Sequence, residues 1–537
     1  MPFLIFFVGN IVQTRILIWS VTAALAGFLF GFDTVVISGA EKTIQSLWQL
    51  SPTTHGWAIS MALWGTVLGS MLGGIPTERI GRKSTLIAIG ILYFASAIWS
   101  AVATDIFSFM IARFIGGVGV GISTVAAPLY ISEISPSKHR GWLAGLFQFN
   151  IVFGILVALI SNSLISQLGD QSWRWMLGAE AVPAVVFLSL CFILPRSPRW
   201  LITARNDHAA AKKTLLEMNP DLDAEGVEAL AQEIGKGKGK VANGSSGGSG
   251  FWSAQMKSPI TLAFLIAFFN QLSGINIIMY FAPRLLGLAG FEDPFTVAIL
   301  LGIVNLAFTM LGLFLIDRLG RRSLLLIGSI GYIVSLGVCG GAFLTNADFQ
   351  VVSRAQAVID SADSVAKLEA TDYRIVSDAE KSEAETVFQK TKLALAEVSD
   401  AKFETGVGIG TAAEMAKDAK QAASKRLGSS SIIVLLSLLA FIASHAVGQG
   451  AVIWVFIAEI FPNTHRAAGQ ALGCFTHWIF AAGLTLLFPI AIANIDAGWL
   501  FLFFCGMMVL QLFWVLLKVP ETKGSSLEEI QEKLGVQ

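Results

Sequence analysis

The sequence predicts an all-α membrane protein, with twelve transmembrane helices in two six-helix pseudo-repeat halves and a polar helical insertion between spans 9 and 10. Three observations carry this. Of 537 residues, 54% are hydrophobic and only 14% charged, where soluble domains usually have roughly 25% charged residues, and the mean hydropathy is +0.68. Apolar runs of about 20 residues, the length that crosses a bilayer core, recur along the chain. Short motifs of the first half return in the second.

The apolar runs lie near 16–39, 56–76, 84–104, 106–132, 142–165, 174–194, 258–287, 295–316, 323–345, 430–458, 467–491 and 497–518. The first carries no small-residue cleavage signature and leads straight into further spans, so no removable signal peptide is expected. Orientation follows from Lys and Arg in short loops, which favour the cytoplasmic side. Two basic turns decide it: Glu78-Arg79-Ile80-Gly81-Arg82-Lys83 after span 2 and Asp317-Arg318-Leu319-Gly320-Arg321-Arg322 after span 8. An even number of helices precedes each, so both turns and both termini are expected to be cytoplasmic, in a plasma or bacterial inner membrane.

Residues 1–194 form the first half. The 195–257 segment is a cytoplasmic loop, amphipathic and helix-prone to Ile234, after which the Gly-Lys and Gly-Ser tract reads as a flexible linker. The second half is split into 258–345 and 428–518, with 519–537 as a cytoplasmic tail.

The interruption is located by the repeat. Glu78 and Asp317 are 239 residues apart, but Glu133-Ile134-Ser135-Pro136 and Glu459-Ile460-Phe461-Pro462 are 326 apart, and Pro195 and Pro520 are 325 apart. The excess must fall between the second basic turn and Glu459, where the polar 346–427 segment lies. That segment has 11 basic and 14 acidic residues and no run able to span. Apolar positions Val351, Val352, Ala355, Val358 and Ile359 recur near helical spacing, which predicts an extracytoplasmic helical hairpin packed on itself or on a protein partner.

Composition also excludes functions. The 37 basic and 37 acidic residues cancel, so no net field draws nucleic acid. Cys191, Cys339, Cys474 and Cys505 lie in apolar runs without disulfide or zinc spacing. No nucleophile and base set, metal motif or phosphate loop is visible, so an enzyme, a metal and a cofactor are not expected.

Several motifs together bring a family into view: Gly31-Phe32-Asp33-Thr34, Arg113-Phe114-Ile115-Gly116-Gly117, Arg140-Gly141, Pro195 to Leu201, Gln271 to Tyr280, and Pro520 to Gly524. In this order and spacing the chain resembles the sugar porter family of the major facilitator superfamily. Departures are visible too. Arg196 stands where the family usually has Glu, Glu78 where Asp is usual, and Ile155 where a second span 5 glutamine is common; His477 replaces a common glutamine.

A sugar presents hydroxyls in all directions and weakly apolar ring faces, so its site needs neutral amides and aromatic rings rather than charge. Gln148, Gln271, Asn276, Asn305 and Trp454 are such groups on apolar spans, with Tyr280 in the same motif as Gln271. The resemblance adds Asn270, His477 and Trp478 as substrate contacts. Buried amides can also simply join helices.

Ionisable residues inside a membrane cost about 2.5–3.5 kcal/mol each on insertion scales and point to function. Asp33, Arg113 and Glu180 stand out in spans 1, 4 and 6; the resemblance implies that they couple a proton, and a static ion cluster is the plainer alternative. His445 and His477 read as hydrogen-bonding groups. The basic turns predict a cytoplasmic latch of Glu78, Arg79, Arg82, Asp317, Arg318 and Arg321, to which the resemblance adds Glu133 with Arg140 and Glu459 with Arg466. The implied function is secondary transport of a hexose, pentose or polyol such as inositol by alternating access, as a proton symporter, with sugar, proton and lipid as partners. A facilitative uniporter is the alternative, and a transporter-like sugar sensor is disfavoured by the short tail.

Overall fold

The computed structural model describes residues 14–136, 139–219, 222–243, 250–370, 378–399, 407–462, 464–525 and 527–536, and among these the chain is helical, with no strand. The helices that build the two halves are α1 (Thr14–Leu47), α2 (Pro52–Leu72), α3 (Arg82–Val102), α4 (Ile106–Ile134), α5 (Arg140–Ile165), α6 (Ser172–Cys191), α7 (Ala254–Tyr280, with Ala282–Leu288 as its last segment), α8 (Pro294–Leu319), α9 (Arg321–Thr345), α10 (Ser429–Ile460), α11 (Arg466–Asn494) and α12 (Ala497–Lys518). Eleven are long and apolar enough to cross a membrane by length and composition; α2 falls short. The reason is packing. Both flanks of α2 rest on protein, α4 in its own half and α11 in the other, and it uses Gly, Ser and Thr where a lipid-facing helix would carry Leu or Ile.

Helices meet at glycines. A Cβ on Gly117 of α4 would stand 1.8 Å from the Ala62 carbonyl oxygen of α2, and one on Gly31 of α1 would stand 1.9 Å from the Ile151 carbonyl oxygen of α5. Small residues let backbones approach where lipid gives no hydrophobic drive for association. The two halves touch the same way: Gly56 of α2 faces the Leu486 carbonyl oxygen of α11, and Gly302 of α8 faces Leu156 of α5. Gly117→Ala is expected to lower the thermal unfolding midpoint in detergent, at the upper end of the ~1–3 kcal/mol typical of overpacking, because the obstructing atom is backbone. An unchanged midpoint would mean that the α2–α4 crossing is loose.

Three spans are broken where chemistry is concentrated. Pro183 lacks an N–H, and α6 is interrupted at Glu180, between Ser172–Ala179 and Ala181–Cys191. The second is α7, which breaks after Leu272 at Gly274 (φ 87°), resumes as Ile275–Tyr280 and continues as Ala282–Leu288; this left-handed φ favours glycine. In α10 the break is at Gly448, which lies against Gly328 of α9.

Two parts of the sequence reading need correction. The helix after the first half runs over Ala224–Asn243, past Gly235 where a flexible linker was expected. Its buried residues Val227 and Ala231 pack into the first-half core, and once such a helix is nucleated each further turn adds hydrogen bonds at little cost. Residues 244–249 lie outside the described residues. The segment between α9 and α10 holds three helices, Ala347–Ala370, Asp378–Val398 and Ile409–Leu427, rather than a hairpin. The third buries Ala412, Ala416 and Ala423 against the first, an alanine stripe too weakly apolar to stand out in sequence.

Candidate functional site

Gln271 ends the first segment of α7, just before the Gly274 break, and it is buried at the middle of a polar cluster. Its Nε2 donates to Asn270 Oδ1 at 3.1 Å and lies 3.1 Å from the His477 ring nitrogens of α11, while its Oε1 accepts from Asn276 Nδ2 at 2.8 Å. Aromatic rings wall this cluster. Trp454 and Trp478 lie 5.2 and 4.7 Å from the His477 ring, and Trp478 meets Phe30 of α1 at 5.6 Å, across the boundary between halves. The buried Trp478 Nε1 has no hydrogen-bond partner. Asn270, Gln271, Asn276, Trp454, His477 and Trp478 are thus brought together. Asn305 is buried on α8 and accepts from Thr309 of its own helix at 3.4 Å. Gln148 is half-buried on α5, and Ile155 is core.

The charged cluster lies in the first half. Arg113 Nη1 donates to Asp33 Oδ1 at 2.5 Å and Nη2 to the Asp33 carbonyl oxygen at 3.2 Å, with both side chains buried. Glu180, at the α6 interruption, faces both, and its Oε1 has no partner. Gly116 on α4 is met closely by α3, where a Cβ would stand 2.4 Å from Ser96 Oγ.

Tyr280 joins the two clusters. It is buried one helical turn beyond Asn276, bonds toward Thr34 of α1 and sits within the field of Asp33 and Arg113. The sequence grouped it with the sugar amides; its neighbours are those of the charged cluster. A change of charge at Asp33 is therefore felt electrostatically at Tyr280, on the α7 segment that follows the Gly274 break.

At the face carrying the basic turns, the ion pairs form within halves. Arg82 donates to Glu133 at 2.9 Å and lies 3.5 Å from Glu78, and Ser197 donates to the other Glu133 oxygen at 2.6 Å. The second half repeats this with Arg321 to Glu459 at 2.7 Å, Arg321 to Asp317 at 3.0 Å and Thr522 to Glu459 at 2.6 Å. Glu521 also caps α9, accepting from the Arg321 and Arg322 backbone N–H groups at 2.9 and 3.1 Å. Arg196 replaces that carboxylate in the first half, beside Lys83. Arg79 is exposed, Arg318 stacks over Phe314, and Glu459 is taken by Arg321 rather than Arg466. The Arg140 side chain lies outside the described residues. Among the described residues no latch ion pair joins the two halves at this face.

Sequence reasoning passed over a second buried charge cluster. Glu41 of α1, His55 of α2 and Arg284 of the last α7 segment meet at the opposite face. Arg284 lay inside a predicted span and should have been flagged by its charge; Glu41 and His55 lay just beyond the predicted ends.

Residues 19–359 and 406–534 match a family profile described as Sugar (and other) transporter. The chain belongs to this sugar porter family of the major facilitator superfamily. It is a multi-pass membrane transporter, not an enzyme. This sugar porter is 27% identical to the D-xylose-proton symporter of Escherichia coli (strain K12), over 96% of its own chain and 95% of the relative. It is 27% identical to the arabinose-proton symporter of Bacillus subtilis (strain 168), over 97% and 95%. A solved structure of the xylose transporter XylE from E. coli, in a partially occluded inward open conformation, superposes with a TM-score of 0.71 at 25% identity, over 96% of this porter and all of that chain.

Proposed function

We propose that this sugar porter is a monosaccharide–proton symporter that works by alternating access, with both termini cytoplasmic and the three-helix insertion outside. The observation that carries the proton is the buried cluster in which one arginine faces two carboxylates, one of them with an unpartnered oxygen. With all three ionised the cluster holds one uncompensated negative charge, which a low-dielectric site penalises. One proton neutralises it and loosens the hold on Arg113. The relatives named for proton symport of a pentose support the same reading. Gln271, Asn270, Asn276, His477, Trp454 and Trp478 bind the sugar, with Gln148 and Asn305 on the facing spans 5 and 8.

Uptake into proteoliposomes tests this with labelled pentoses, hexoses and inositol, each with and without an imposed inward proton gradient. At least one sugar is expected to accumulate above its external concentration only when the gradient is present. Equilibration without accumulation would make the protein a uniporter.

A further inference from the structure

The cluster at the insertion face joins the two halves. Glu41 is buried near the end of α1 and accepts from Arg284 Nε at 2.9 Å and Nη2 at 2.8 Å. Arg284 also donates to Gln45. His55, fully buried in the first turn of α2, lies with Nε2 3.1 Å from the Glu41 carbonyl oxygen and 3.3 Å from Glu41 Oε2, and its Nδ1 has no partner. Glu41 and His55 belong to the first half, Arg284 to the second. The clasp is closed here, as expected of a chain that superposes on a structure open at the other face.

Alternating access requires this face to open, and opening carries Arg284 away from Glu41. A carboxylate left partly buried without its cation is strongly destabilised. His55 stays with Glu41 because both are on the same half. Its side-chain type titrates near pH 6.5 in water, so it can supply the missing positive charge by taking a proton. With Arg284 in place that proton has no use, since Glu41 is already matched and a second cation would be repelled.

We propose that Glu41 and His55 form a second proton-binding site, in which a proton on His55 replaces Arg284 as the counter-charge of Glu41 when the insertion face opens. The proton enters from water on that face and returns to it on closing, so it sets how readily the mouth opens without adding to transport stoichiometry. The inference rests on alternating access alone and is independent of the role of Asp33.

Other charges near His55 are engaged elsewhere. Lys42 of α1 pairs with Asp360 of the insertion at 3.5 Å, with Lys420 beside them. Arg113 of α4 is bound to Asp33. Between Trp478 and Asn494, α11 carries no ionisable side chain where it packs on α2, and α7 offers His55 the Arg284 charge and the Phe281 ring at 6.3 Å.

Linkage fixes the size of the effect: one proton bound only in the open state raises the open population up to about tenfold per pH unit of acidification. The test places nitroxide labels at Asp170 and Glu292, exposed at this face in opposite halves, on the full-length transporter in nanodiscs with its four cysteines replaced by alanine. Distances are measured by pulsed electron resonance from pH 8 to pH 5. The longer, open distance is expected to gain population as pH falls, both in the labelled parent and in an Asp33→Asn background. His55→Gln keeps a hydrogen bond to Glu41 but cannot take the proton, and should flatten the response. Glu41→Gln removes the need for a counter-charge and should leave the mouth biased open at every pH, which serves if His55→Gln does not fold. A parent that does not respond to pH, or a response kept in His55→Gln and lost in Asp33→Asn, would overturn the proposal.

Discussion

Asp33→Asn is expected to abolish uphill accumulation of sugar while exchange down a gradient continues. In the native cluster Asp33 holds Arg113 through a side-chain and a backbone contact, and Glu180 faces the same pair. An asparagine leaves Arg113 and Glu180 as a neutral pair at every working pH, so the cluster stays in the state that a proton would otherwise create. The halves then rock with or without a proton, and the gradient is no longer tied to sugar movement. One pH unit is worth about 1.4 kcal/mol, enough for about a tenfold sugar gradient with one proton per sugar. In the variant that ratio should fall to one, with counterflow of labelled sugar still measurable. Uphill transport retained in Asp33→Asn would remove the proton from Asp33, and its loss in Glu180→Gln alone would assign it to Glu180. If both variants fold, exchange normally and still accumulate sugar, the cluster is only a pin between α1, α4 and α6.

The sequence revealed these groups unevenly, for physical reasons. Asp33, Arg113 and Glu180 are ionisable side chains inside apolar runs, where cost alone marks them. Gln271 and Asn276 flank a glycine in a run otherwise fit to span, so a broken helix with polar groups at the break was readable. That Tyr280 would meet Thr34 of α1, within the field of Asp33, was not, because it depends on how α7 crosses α1, and local patterns do not encode a crossing. The Glu41 clasp escaped for a related reason. Judged by hydropathy, span 1 ended near residue 39, whereas α1 continues to Leu47, because Glu41 is paired with Arg284 and Lys42 faces the insertion. A charged residue matched from another half looks, in sequence, like the end of a span. The same applies to α2, whose small and hydroxylated residues read as weakly apolar because protein rather than lipid covers them.

The sugar site is tested by Gln271→Ala, for which a 5- to 150-fold loss of sugar affinity is expected, corresponding to about 1–3 kcal/mol for a buried hydrogen bond left unmade. Gln271 bonds Asn270, His477 and Asn276 at once, so its removal frees three polar partners as well as the contact to sugar. Two readings of that arrangement differ in what the substitution damages. If the amides only tie α7 to α11, the variant loses thermal stability in the absence of sugar and binds sugar with native affinity. If they form the site, affinity falls by the stated factor and sugar no longer raises the unfolding midpoint. Trp454 and Trp478 provide the readout, since both rings flank His477 and their fluorescence should respond to occupancy. Asn305→Ala is the internal comparison: its visible bond is to Thr309 on its own helix, so stability should barely change and any loss of affinity reports a sugar contact alone. Native affinity in Gln271→Ala would move the substrate away from the α7 break and leave the cluster a structural brace.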